Sequence, residues 1–189
     1  FILLSGIVFL LVGQPDLGQS ILLICTWSSL IFISGVNIYF LILLLIFVIL
    51  LFFGLLYIAP EKFYYIITRL TSFLDPSKSD SFQSQKAIEA IRQGGLKGQG
   101  MGEGILKESV PEAHTDYIIA VVSEEFGSII SVLIISIFIF IVFRVVKRVI
   151  NFSSNFYKLA LCGLASLLIF QTFIHVGVNA NLLPTTGMT

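Results

Sequence analysis

The stretch PEAHTDYIIAVVSEEFG, residues 111 to 127, gathers Glu112, His114, Asp116, Glu124 and Glu125 at the mouth of a long apolar run. Carboxylates and an imidazole are the groups that accept and deliver protons near neutral pH, so general acid or base chemistry is the first thing to look for here. Thr115 can act as a helix N-cap, which puts Asp116 in the first helical turn, where the helix dipole favours its ionised form. Capping alone accounts for that pair. It does not account for Glu124 and Glu125, which follow about 12 to 13 Å further along a helix axis. At that depth the spacing predicts that both line a water-accessible cavity rather than lipid. It also argues against Asp116 and Glu124 as the carboxylate pair of a retaining glycosidase, which needs about 5 Å.

Other chemistry-bearing residues are more dispersed. The glycine series GGLKGQGMGEG, residues 94 to 104, lacks the GK[ST] of a P-loop, and no strand precedes it as a dinucleotide fingerprint requires. It reads as a mobile loop or as a nest of backbone N–H groups that receives a phosphate with help from Lys97 and Lys107. Asp16, after Pro15, can cap a helix, yet it lies close to hydrocarbon. Gln171, His175 and Asn179 recur every four residues and share one stripe of a helix, where interhelical hydrogen bonding or a polar lining are the two readings. Cys25 and Cys162 lie in separate apolar runs with no CxxC spacing and point to helix packing.

The elements that must position these groups follow from composition. The 189 residues are 57% hydrophobic and 12% charged, with a mean hydropathy of +1.00, which is a membrane chain rather than a water-soluble domain. Net charge is zero, so no basic excess points to nucleic acid. Five apolar spans are predicted: about 1–12 (truncated), 18–36, 38–58, 117–143 and 156–178. Unclosed strands cannot satisfy their backbone in lipid, so the spans are helices and the fold class is all-α, a polytopic transmembrane bundle in one domain. The chain has no signal-peptide pattern, and both ends look like cuts through a larger protein. Residues 60–116 hold 15 of the 22 Asp, Glu, Lys and Arg residues. Within them a short surface helix is expected around Ala87, Ile88 and Ile91, stopped by Gly94 and Gly95. Arg144, Lys147, Arg148 and Lys158 have no acidic residue among them, which puts the 144–155 loop in the cytoplasm and the 60–116 loop outside.

Taken in order, QPDLGQS, RLTSFLDP, FQSQKAIEAIRQGGLKGQGMGEG, PEAHTDYIIAVVSEEFG and LLPTTGMT resemble the SEDS proteins, the polytopic shape, elongation, division and sporulation proteins of bacteria. The resemblance covers essentially the whole chain, and PEAHTD and LLPTTGMT look more like the division member than the elongation member. It implies a bundle of ten transmembrane helices, of which this chain would supply about the fifth to the ninth. It also implies a peptidoglycan glycosyltransferase that polymerises lipid II, the lipid-linked disaccharide-peptide, in the bacterial cytoplasmic (inner) membrane at the division septum. The implied partners are a class B penicillin-binding protein (a transpeptidase) and other division proteins.

The family's essential aspartate falls on Asp116, and a second acidic position of the outer loop falls on Glu108. His175 stands where the family commonly has Asn. Lipid II carries its sugar on an α-linked pyrophosphate and the polymer is β-1,4-linked, so one inverting displacement with one base suffices. Asp116 would be that base. Arg69, Lys97 or Lys107 would stabilise undecaprenyl pyrophosphate as it leaves. Glu112, His114, Thr115, Glu124 and Glu125 would line the substrate site, and Asp16, Gln171, His175 and Asn179 a cavity. No metal ligand set is apparent, and a divalent cation stays open. Two other functions are carried as alternatives: a lipid II flippase and a non-catalytic scaffold of the division complex.

Overall fold

The computed structural model describes residues 2–14, 16–40, 42–46, 50, 54, 64–74 and 79–185. All regular structure among these residues is helical, as the all-α expectation requires. In chain order the main elements are α1 (Ile2–Gly13), α2 (Leu17–Ile33), α3 (Tyr64–Leu74), α4 (Ser79–Gly94), α5 (Leu106–Ser109), a 3-10 turn (Pro111–His114), α6 (Ile118–Phe126), α7 (Ser128–Val149) and α8 (Asn155–Asn179). Residues 38–40 and 42–46 are also helical, but most of the expected 38–58 span lies outside the described residues.

Two of these helices, α7 and α8, are long and apolar enough to cross a membrane. At 1.5 Å per residue they measure roughly 33 and 38 Å, against a hydrocarbon core of about 30 Å. Ile129, Val132, Leu133, Phe140 and Phe143 on α7 are all more than half exposed. A continuous apolar face of that kind is not tolerated in water, whereas in lipid it needs no further partner. α8 packs against both α2 and α7, and α1 packs against α2. Gly163 makes the α2 contact close: a Cβ there would come within 3.1 Å of the Leu30 side chain.

The buried core is not at mid-bundle. It lies where α4, α5, the 3-10 turn and α6 rest on the ends of α2 and α8, and it joins Leu22, Ala87, Ala90, Leu106, Val110, Ala113, Tyr117, Ala120, Ile174 and Val178. Four alanines in this set let the backbones of α4, the turn and α6 approach closely, and the Tyr117 ring fills the space they leave. Ala87 and Ala90, one turn apart, are the buried residues of α4; of the expected face, Ile91 packs on this core and Ile88 is half-buried.

The expected unbroken helix over 117–143 is not formed. The chain is helical through Phe126, breaks at Gly127 and resumes at Ser128, then continues past Phe143 to Val149. Arg144, Lys147 and Arg148 are therefore the last turns of α7 rather than a loop. Gly127 adopts φ 88°, ψ 161°, a region open essentially to glycine alone. A Cβ at Gly127 would also lie 2.2 Å from the Leu96 carbonyl oxygen. Hydropathy does not see such a break, because both flanks remain apolar.

Candidate functional site

The break at Gly127 opens hydrogen-bonding groups that an unbroken helix would satisfy internally, and the glycine series 94–104 fills them. The Gln99 N–H donates to the Glu124 carbonyl at 2.9 Å, and the Gly100 N–H to the Glu125 carbonyl at 3.0 Å. In return the Gly95 carbonyl accepts the Ser128 N–H at 2.9 Å and the Ser128 hydroxyl as well. Such backbone contact is possible only without side chains: a Cβ on Gly94 would sit 2.0 Å from the Ser123 carbonyl oxygen, and one on Gly98, at φ 81°, 2.2 Å from that of Glu125. The series is thus a docked cap for the end of α6. The expectation of a phosphate nest is corrected at Gly98, Gln99 and Gly100, whose N–H groups are given to protein carbonyls.

The same correction applies to the two glutamates. Glu124 is 1% exposed and does not line a water-filled cavity. Its Oε1 accepts the Ile105 N–H at 3.0 Å and its Oε2 the Leu106 N–H at 3.1 Å, so from eighteen residues away it caps the start of α5. Glu125 holds Lys107, whose Nζ lies 3.1 Å from Oε1 and 3.1 Å from the Gly102 carbonyl. Together the pair fixes the loop that carries Glu108, which is exposed.

Asp116 lies at the opposite end of α6. The helix begins at Ile118 with Tyr117 as its N-cap, so Asp116 precedes the first turn instead of lying in it, and Thr115 is not the cap. What satisfies the helix start comes from α8. The Asn179 Oδ1 accepts the Ala120 N–H at 2.8 Å, while its Nδ2 donates to the Asp116 and His175 carbonyls, each at 2.7 Å. Asp116 is 1% exposed, Tyr117 0% and Asn179 2%. His114 and Thr115 are exposed beside them, and Glu112 belongs to the 3-10 turn, its side chain lying outside the described residues.

The remaining predicted site residues separate. Asp16 caps α2, accepting the Gln19 N–H at 3.0 Å. Gln171 and His175 line a cavity of ≈ 340 Å³ between α6, α7 and α8, with Ile118, Val122, Ile134 and Phe138 among its walls. Asn179 is not part of that lining. Its interhelical bonds are the role the stripe shares with ordinary helix packing. Arg69 is half-buried on α3, and its Nη1 has no hydrogen-bond partner among the described residues. Lys97 is exposed on the glycine loop. Among the described residues no three His, Cys, Asp or Glu side chains converge as metal ligands.

Sequence reasoning missed one further pair. Ser123 and Ser131 place their hydroxyls 2.8 Å apart across the Gly127 break, buried between α6 and α7. The only sequence signal was the eight-residue interval between two serines in an apolar run, which keeps them near one helical face.

The family model described as "Cell cycle protein", covering FtsW, RodA and SpoVE, matches residues 1–189. The chain is 39% identical to a probable peptidoglycan glycosyltransferase FtsW of Caulobacter vibrioides, over 100% of this chain and 47% of that protein. Counterparts of the same name in Haemophilus ducreyi and Francisella salina are 37% and 32% identical, over 95% and 99% of this chain and 46% and 47% of theirs. The chain spans about half the length of the curated relatives it matches. With a match along its entire length, the chain belongs to the FtsW/RodA/SpoVE family of cell cycle proteins.

Proposed function

We propose that this chain carries the catalytic segment of a peptidoglycan glycosyltransferase that polymerises lipid II at the division septum, with Asp116 as general base. The observation that carries the proposal is the placement of Asp116. It is an acid removed from water, in a turn held by α8, where the polar segment 60–116 meets the apolar helices. In the reaction the carboxylate takes the proton of the acceptor sugar hydroxyl as that oxygen attacks the anomeric carbon. The bond to the pyrophosphate oxygen breaks, undecaprenyl pyrophosphate departs, and configuration inverts. One base suffices, which agrees with Glu124 being committed to the loop.

Arg69 and Lys97 are the basic groups proposed to meet the departing pyrophosphate, because Lys107 already shares its charge with Glu125. The basic end of α7 supports the proposed orientation: Arg144, Lys147 and Arg148 favour the cytoplasm, and Asp116 would then face outward with lipid II. A class B penicillin-binding protein and other division proteins are the proposed partners. A second reading, movement of lipid II across the bilayer, is favoured by the ≈ 340 Å³ cavity beside α6.

Asp116→Asn in the full-length protein tests both. Asn keeps the size of the side chain and loses the base, so polymer formation should fall about 10² to 10⁴ fold, or roughly 2.7 to 5.4 kcal/mol in barrier. Glu112→Gln should cost much less. An Asp116→Asn protein that inserts, binds lipid II and polymerises at the wild-type rate would sink the assignment. Movement of labelled lipid II at the wild-type rate by a polymerisation-dead variant would show transport to be a separate activity.

A further inference from the structure

Asn179 is the last residue of α8, 2% exposed, and its amide reaches both sides of the turn that holds Asp116. One oxygen accepts from Ala120 on α6 and one nitrogen donates to the Asp116 carbonyl, across 59 and 63 residues of sequence. The third bond, to the His175 carbonyl, anchors the amide to its own helix. The three bonds also fix which way the amide faces. Flipped, Nδ2 would confront the Ala120 N–H and Oδ1 would confront two carbonyls, so only one orientation satisfies all partners. No other side chain of this size carries a donor and an acceptor on one rigid plane.

The need for this clamp is local. α6 starts at Tyr117 without a side-chain cap of its own, and Tyr117 is fully buried in the core beside the turn. The Asn179 amide ties the Asp116 backbone directly to α8. We propose that Asn179 is a positioning residue for Asp116, acting on its main chain and holding the carboxyl at the height where the acceptor hydroxyl must meet it. The inference rests on the general-base reading of Asp116. A misplacement of about 1 Å at a reacting group costs on the order of 10²-fold in rate, which sets the scale of the effect.

The test uses the full-length protein in lipid with its transpeptidase partner, comparing Asn179→Ala, Asn179→Asp, Asp116→Asn and the double variants. Rates are expressed per lipid II-binding site, so that misfolded molecules do not count. Asn179→Ala should lower kcat about 10- to 100-fold with KM for lipid II within about twofold. Asn179→Asp keeps the acceptor for Ala120 but turns an oxygen onto the Asp116 and His175 carbonyls, so it should lower kcat at least as far as alanine does, and either variant decides the matter if the other fails to accumulate. On the residual rate of Asp116→Asn, either change should add less than about twofold, because a positioning residue has nothing left to position. A wild-type kcat in both Asn179 variants, or the same fold-loss with and without Asp116, would overturn the inference while leaving the base intact. Where the Asp116→Asn rate falls below detection, the division between kcat and KM decides. A wild-type rate for Asp116→Asn would instead remove the base reading, and this inference with it.

Discussion

The loop-side end of the molecule and the body of the bundle are built by different means. At the loop-side end, backbone meets backbone: the glycine series lies on the end of α6, Glu124 caps α5, and Asn179 ties the Asp116 turn to α8. In the body, α7 shows apolar side chains around most of its circumference, and Ser136 returns its hydroxyl to its own helix. The difference follows from the two solvents. In hydrocarbon a helix that satisfies its own backbone needs little else, so its apolar surface is tolerant of substitution. Where helices stop, orphan N–H and C=O groups appear and must be met by specific partners. A precise site can be assembled from such partners, and the candidate site lies at that end.

The comparison can be broken most severely at Gly127. Gly127→Val adds backbone strain and a side chain against the Leu96 carbonyl, and should destabilise the full-length protein by roughly 3 to 5 kcal/mol. Thermal unfolding of the purified protein measures it, and an unchanged melting temperature would mean that α6 and α7 do not break there. Glu124→Ala comes next. It strips the acceptor from two loop N–H groups and should cost about 2 to 4 kcal/mol, with Glu124→Gln costing about half because one acceptor survives.

Ser131→Ala sits on the boundary between the two regions. It leaves the buried Ser123 hydroxyl without its partner and should cost about 1 kcal/mol. The smallest effect belongs to the lipid-facing surface: Phe140, 60% exposed on α7, should accept Leu within about 0.5 kcal/mol. A large loss from Phe140→Leu would show that α7 packs against another helix there, and would blur the distinction between the two ends.

Much of this architecture was legible. The apolar runs 18–36 and 156–178 correspond closely to α2 (Leu17–Ile33) and α8 (Asn155–Asn179), because hydrophobic length is a property of consecutive residues. α4 was legible for a related reason, the expected face of Ala87, Ile88 and Ile91 above a double glycine, of which Ala87 is buried and Ile91 packs on the core, while Ala90, which that reading left out, completes the buried row. Asp116 was marked by its ionisable type at the edge of an apolar run and by the motif around it. Glu124 and Glu125 were marked by the same logic and assigned the wrong task. Hydropathy registers that a buried acid is costly but says nothing about what meets it. Here the partners are the N–H groups of Ile105 and Leu106 and the ammonium of Lys107, all at least eighteen residues away.

By itself, then, the sequence determined that the chain is helical, apolar and membrane-directed, and that its charges concentrate in one segment beside Asp116. These are local quantities, set by side-chain type and period. The tertiary structure alone decided that the helix expected over 117–143 breaks at Gly127, that backbone N–H groups of the glycine series close the break, and that Asn179 holds the Asp116 turn. Each depends on which orphan backbone group finds a partner after the helices have packed, and such pairings join residues that no local period connects.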